Sequence, residues 1–133
     1  MTQEEKQLLL RDLCARLPYN PMVEYKGETY NVLGITFERL VLCKPFMSFT
    51  LNEHPLVEEV KPYLFPMPKA DEDEEYNKFL DELIEIELKV ISGEFERNYS
   101  FEFEMNYYHK NHIDYRGLIP MGLAEDATDK NLY

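Results

Sequence analysis

The stretch DEDEEYNKFLDELIEIELKVI, residues 71–91, decides the architecture of the C-terminal half of the chain. Its first part reads as helix, because Tyr76, Phe79, Leu80, Leu83 and Ile84 recur at helical spacing. Its second part is ambiguous. Ile84, Ile86, Leu88 and Val90 alternate with Glu85, Glu87 and Lys89, which is the strand period. Glu, Leu and Lys favour helix and no turn signal breaks the run, so helix to about Ile91 is preferred. The rival reading ends the helix near Glu82 and builds a hairpin from residues 84–91 and 99–105 around Gly93. Residues 71–73 can cap a helix and suit the positive end of its dipole.

The same stretch concentrates the charge. Residues 71–87 hold nine acidic side chains and one lysine, −8 of the chain's net −12. A protein of this sign is repelled by phosphate backbones unless a local basic patch overrides the total. The 14 Lys and Arg are scattered singly and no two are adjacent. Direct binding to nucleic acid or an anionic membrane is therefore not expected. The acidic residues Asp71, Glu72, Asp73, Glu74 and Glu75 are interaction candidates, with two readings. They form either the solvated face of an amphipathic helix or an imitation of DNA or RNA phosphates that occupies a basic groove on a host protein.

Upstream, Thr2 and Glu5 make a capping box ahead of Leu9, Leu10, Leu13, Cys14 and Leu17, one apolar stripe over a helix at residues 1–17. Pro18 and Pro21 stop it. Residues 22–68 read as a β region. Met22, Val23 and Tyr25 lead into the turn signal at Lys26, Gly27 and Glu28, then a strand to Thr36 in which Gly34 marks a bulge or bend. A turn at residues 37–39, a buried strand at residues 40–43 and an alternating run at residues 46–51 follow. Residues 57–64 read as one helical turn and a last extended piece, and Pro62, Pro66 and Pro68 forbid regular helix beyond it. Short strands joined by tight turns close most naturally as an SH3-like partial barrel, which removes exposed edges.

Downstream, Phe101, Met105, Tyr108 and His112 are spaced as a second helix. Asp114 is placed to cap a short helical turn over residues 117–121, with Gly122 as its left-handed C-terminal residue. Residues 125–133 are polar and are expected to fray. The fold expected is α+β: an N-terminal helix, a small SH3-like partial β-barrel, and two or three C-terminal helices over residues 71–124. With 133 residues, 44% of them hydrophobic, the chain can bury the core of a single domain spanning 1–133. The start MTQEEKQLLL lacks the pattern of a signal peptide, and no apolar run nears the ~20 residues that span a bilayer. Cys14 and Cys43 lie in apolar patterns as small hydrophobes, so a reducing cytoplasm is the expected setting. A disulfide between them is neither supported nor excluded.

Three blocks carry a resemblance: TQEEKQLLLRDLCARLPY at residues 2–19, VKPYL at residues 60–64, and HIDYRGLI at residues 112–119 with GLA at residues 122–124. In these the chain resembles a group of small proteins of Bacteroides-type gut bacteria and of their phages and mobile elements. The resemblance implies a phage or mobile-element origin, and no activity, cofactor or site residue.

Few residues form patterns that could carry chemistry. His109 and His112, three apart on the expected helix, with Asp114 beyond, could face one metal. No second cluster supports them, and the plainer reading makes His112 a core residue or helix cap. Carboxylate pairs are common, but acid–base catalysis needs environments that split their pKa values. Ser48, Ser92 and Ser100 lack a nucleophile elbow, neither Cys lies near a His in a nucleophile motif, and no glycine-rich phosphate loop is present. No catalytic residue and no cofactor is assigned. The segment at residues 98–115 carries aromatics on two helix faces, more than one core face needs. Tyr99, Tyr107, Tyr108 and Tyr115 are therefore candidates for contact with a protein partner, unless the helix lies sandwiched between the barrel and the acidic helix. The expected function is a non-enzymatic protein-interaction module. The alternatives are an acidic nucleic-acid mimic that inhibits a host DNA- or RNA-binding protein, and a small metal-dependent enzyme.

Overall fold

Thr2 and Glu5 start helix α1 (Gln3–Arg16) by the reciprocal box that their spacing predicts. The Thr2 hydroxyl accepts from the Glu5 N–H at 3.1 Å, and the Glu5 carboxylate accepts from the Thr2 N–H at 2.9 Å. This computed structural model describes residues 1–45 and 52–133, so the alternation expected over residues 46–51 lies outside the described residues. The buried stripe of α1 is Leu9, Asp12, Leu13 and Arg16. It is rotated from the all-apolar stripe expected, and Cys14 is exposed in consequence while Cys43 is buried; both are free thiols. A bidentate ion pair causes the rotation. Arg16 donates to both Asp12 oxygens, from Nε at 2.9 Å and Nη2 at 3.2 Å, and both side chains are fully buried.

Among the described residues five strands follow: β1 (Met22–Tyr25), β2 (Glu28–Thr36), β3 (Arg39–Cys43), β4 (Lys61–Leu64) and β5 (Glu125–Asp126), in the order β3-β2-β1-β4-β5. Lys26 and Gly27 both have positive φ, the backbone that a two-residue hairpin needs between β1 and β2. The register of β2 on β3 shifts between Val32 and Gly34, the bulge that Gly34 predicts, and leaves Leu33 exposed. Beyond β3, Glu53 bridges Leu42 and Leu56 bridges Arg39. A 3-10 turn (Val57–Glu59) then carries the chain to Lys61, which pairs with Glu24 of β1. In a flat sheet the path from Leu56 to Lys61 would cross four strand spacings, about 19 Å. With three residues in a 3-10 turn of ~2 Å rise, the chain reaches only about 13 Å. The sheet is therefore curled.

The stretch 71–91 resolves as helix. Helix α2 (Glu74–Ile91) is capped by Asp73, whose carboxylate accepts from the Tyr76 N–H at 3.0 Å, with Glu74 and Glu75 in its first turn. Helix α3 (Tyr99–Lys110) returns beside it. It stops short of His112, which has a left-handed backbone with φ of 56°. The Ile113 N–H bonds the Tyr108 carbonyl at 2.9 Å and the His112 N–H bonds the His109 carbonyl at 3.2 Å. This is a Schellman ending, with Tyr108 and Ile113 as its apolar contact. Residues 117–121 form turns and not a third helix. They end in the same way: Leu123 bonds back to Leu118 and Gly122 to Ile119, with Gly122 at φ of 77°.

The C-terminal residues 125–133 do not fray. β5 adds to β4 in parallel, Ala127 is buried, and the Tyr133 hydroxyl accepts from the Met22 N–H at 2.8 Å and donates to the Tyr63 carbonyl at 3.1 Å. Polar composition concealed this, because backbone pairing and one aromatic hold the tail.

The described residues form two apolar clusters. The larger joins the sheet to α1 through Leu9, Leu13, Val23, Leu40, Leu42 and Leu64. The smaller lies inside the α2–α3 hairpin, around Tyr76, Phe79, Leu83, Tyr108 and Ile113. Arg16 links them, donating to the carbonyls of Tyr108 at 3.4 Å and Ile113 at 2.7 Å. Asp12→Leu should cost about 3–5 kcal/mol, since it leaves the buried Arg16 without a counter-charge, and Arg16→Met somewhat less, because Arg116 still reaches the Asp12 carboxylate. The double variant Asp12→Leu with Arg16→Met should cost clearly less than the sum. Urea denaturation measures all three, and single losses below about 1 kcal/mol would contradict the linkage.

Candidate functional site

The helical hairpin divides into a base and a tip. At the base, Phe79 stacks on Tyr107 at 3.8 Å between ring centroids and on Phe103 at 5.6 Å, and meets Tyr108 edge to face at 6.0 Å. At the tip the burial ends. No residue from 84 to 102 is buried. Ile84, Leu88 and Ile91, spaced i, i+4, i+7 on α2, are 56%, 60% and 82% exposed, and Phe101 on α3 is 64% exposed.

These four side chains leave the same side of the hairpin. The stripe of α2 continues the line of Leu80, and Phe101 continues the line of Met105 and Tyr108 at i, i+4, i+7. Leu80 and Met105 both pack into the hairpin's own cluster. The opposite side carries a groove of about 550 Å³ floored by Phe79 and Tyr107 and rimmed by Glu75, Lys78, Glu82 and Lys110. The apolar side is bordered instead by Asp81, Glu87 and Glu102.

The aromatic candidates separate into different places. Tyr99 is exposed at the tip, where it packs on Phe95 at 4.8 Å. Tyr107 belongs to the Phe79 stack, and burial raises its pKa. Tyr108 is a core residue, not a surface contact: it closes the Schellman ending, and burial foremost raises its hydroxyl pKa. Tyr115 is half-buried under the guanidiniums of Arg16 and Arg116, 5.4 Å and 4.9 Å from its ring centre. Phe101 is the tip aromatic that sequence reasoning did not select. Its signal was its place on the Met105–Tyr108 stripe one turn beyond where the core ends.

The acidic candidates are all exposed at the start of α2. Asp73 is the cap, Glu74 and Glu75 complement the helix dipole, and the Asp71 N–H donates to the Asn77 side chain at 2.9 Å. Asp71, Glu72, Asp73, Glu74 and Glu75 are therefore separated along α2 from the apolar tip, and the acids beside the tip are later ones.

His109, His112 and Asp114 are not brought to one point. The helix ends before His112, so the two imidazoles do not share a face. His109 Nε2 lies 2.8 Å from the Tyr115 hydroxyl. Asp114 accepts from the Leu118 and Ile119 N–H groups, both at 2.8 Å. His112 stacks on Tyr133 at 3.4 Å between centroids. Among the described residues no group of three His, Cys, Asp or Glu side chains could hold a metal ion, and no helix is long and apolar enough to cross a membrane.

No protein-family model, curated protein or solved structure matches this chain.

Burial, with the Arg16 charge adding to it, lowers the His112 pKa from 6.5 to about 4, and its Nδ1 has no hydrogen-bond partner. The fold thus holds His112 neutral. Its contribution is intact above pH 6.5 and is lost as the pH falls from 6.5 toward 4, where the unfolded chain binds a proton that the folded one refuses. The loss amounts to about 3 kcal/mol. His112→Asn, which tolerates the left-handed backbone, should flatten the stability profile over that window. Chemical denaturation at pH 7, 5.5 and 4 tests it, and identical profiles for the two proteins would contradict it.

Proposed function

We propose that this chain is a non-enzymatic protein-interaction module whose contact surface is the tip of the α2–α3 hairpin. One observation carries the reading. An 18-residue helix and its partner extend past the core and present Ile84, Leu88, Ile91 and Phe101 on one side, all exposed among the described residues. Isolated exposed apolar side chains are ordinary, but four aligned at helical spacing on neighbouring helices form a patch of the kind that marks interaction sites.

The acidity fits this better than it fits phosphate imitation. Ile84 and Leu88 interrupt the acidic residues of α2, so the helix presents a mixed apolar and anionic surface. The curled sheet is the platform. Three antiparallel strands, a segment pairing back on β3, a 3-10 turn and a strand returning to β1 support reading it as an SH3-like partial barrel. As part of the same proposal, the resemblance in the three sequence blocks favours a phage or mobile-element origin.

A photo-crosslinking residue introduced at Leu88 in living cells should form a discrete adduct with another protein. The same residue at Lys130, exposed on the far C-terminal segment, should not. Leu88→Ser with Ile91→Ser should leave stability within about 0.5 kcal/mol of the parent while abolishing capture by a crosslinker at Phe101. Equal adduct yields from positions 88 and 130 would refute the assignment.

A further inference from the structure

We infer that the occupant of the hairpin tip is a cationic amphipathic helix of a partner protein. This rests on the reading of the tip as a docking face and adds the chemistry of what docks there.

The shape favours a helix. Ile84, Leu88 and Ile91 form one straight exposed apolar stripe along α2, with Phe101 of α3 exposed beside its start. Ile84 to Ile91 spans about 10 Å along the axis, two turns, which a third helix matches with its own i, i+3, i+4, i+7 side chains. An extended strand would find no unpaired backbone edge here, because the exposed apolar residues all lie on helices.

The charge selects the sign of the partner. Residues 81–104 contain the acidic residues Asp81, Glu82, Glu85, Glu87, Glu94, Glu96, Glu102 and Glu104 against Lys89 and Arg97. Lys89 is turned to the Phe95 ring, 5.3 Å from its centre. Asp81 and Glu87 flank the α2 stripe and Glu102 neighbours Phe101, so a helix laid on the apolar strip finds carboxylates along its borders. Lys and Arg on the flanks of that helix would bury their alkyl stems against the strip and set their charges against the rim. A second copy of this chain is opposed by the same argument. Face-to-face tips would place these carboxylates against one another, in a protein already at −12.

The test uses the full chain and three fluorescent peptides of about 18 residues, roughly five turns. One is a Leu/Lys peptide with leucine at i, i+3, i+4 and i+7. The second is its scrambled isomer, and the third keeps the pattern with Glu for Lys. Fluorescence anisotropy should show the patterned Leu/Lys peptide binding at least about tenfold more tightly than either other, about 1.4 kcal/mol. Leu88→Ser or Phe101→Ser, with unchanged circular dichroism and melting temperature, should weaken it severalfold. Raising salt from about 0.1 M to about 1 M, which shortens the Debye length from ~10 Å to ~3 Å, should also weaken it.

A patterned Leu/Glu peptide that binds as tightly overturns the cationic partner and leaves the docking face standing. A scrambled Leu/Lys peptide that binds as tightly, untouched by Leu88→Ser, overturns both, because charge alone then explains the contact. Binding by none of the three overturns the cationic helix.

Discussion

Arg16 makes two bonds to the Asp12 carboxylate and two to the main chain at the end of α3, all in the interior. Those four bonds fix how the halves of the molecule meet. An arginine on the buried face of α1 cannot stay unpaired, and Asp12, one turn earlier on the same face, is the partner that α1 itself supplies. Their mutual grip aims the rest of the guanidinium at the carbonyls of Tyr108, in the last turn of α3, and Ile113, just beyond it. Arg116 closes the arrangement from outside at 3.1 Å from the same carboxylate. Apolar contact alone could let the hairpin slide on α1. Directional bonds to two particular carbonyls set its position.

From that anchor the base of the hairpin is over-determined. The Schellman ending places Ile113 beside Phe65, where main-chain bonds run both ways at 2.8 Å, and the left-handed His112 turns its ring under Tyr133. The Tyr133 ring also meets Phe65 edge to face, so Tyr133 is joined to β1, to β4 and to the hairpin base. The tip has no such support. Among the described residues none beyond Leu83 on α2 is buried, yet α2 runs on for two further turns with its best apolar spacing facing outward. That asymmetry, a base secured by charge and a tip left uncovered, is the physical content of the proposed function.

Elements that depend on neighbouring residues were legible in the sequence. The capping box at Thr2, the Asp73 cap, the Gly34 bulge, the Gly122 turn and helix as far as Ile91 all follow from local chemistry. What escaped notice depends on distant partners. Asp12 and Arg16 look like surface charges on an amphipathic helix until the carbonyls of residues 108 and 113 arrive. The polar tail looks ready to fray until β4 offers an edge. His112 looks helical by spacing, yet a left-handed residue ends the helix there, and this separates the imidazoles that spacing had put together. The aromatic excess of residues 98–115 pointed to rings beyond what one core face needs. Most of those rings, however, serve the hairpin's interior, and the exposed remainder is Tyr99 and Phe101 with the aliphatic stripe of α2.

Hydrogen–deuterium exchange along α2 measures the division between base and tip most directly, since protection reports the free energy of local opening. Amides near Phe79 and Leu83 should exchange close to the rate set by global unfolding. Protection should fall through Leu88 toward Ile91, matched by low protection at the start of α3. Uniform, high protection from Tyr76 to Ile91 in the isolated protein would contradict a tip that stands free of the core.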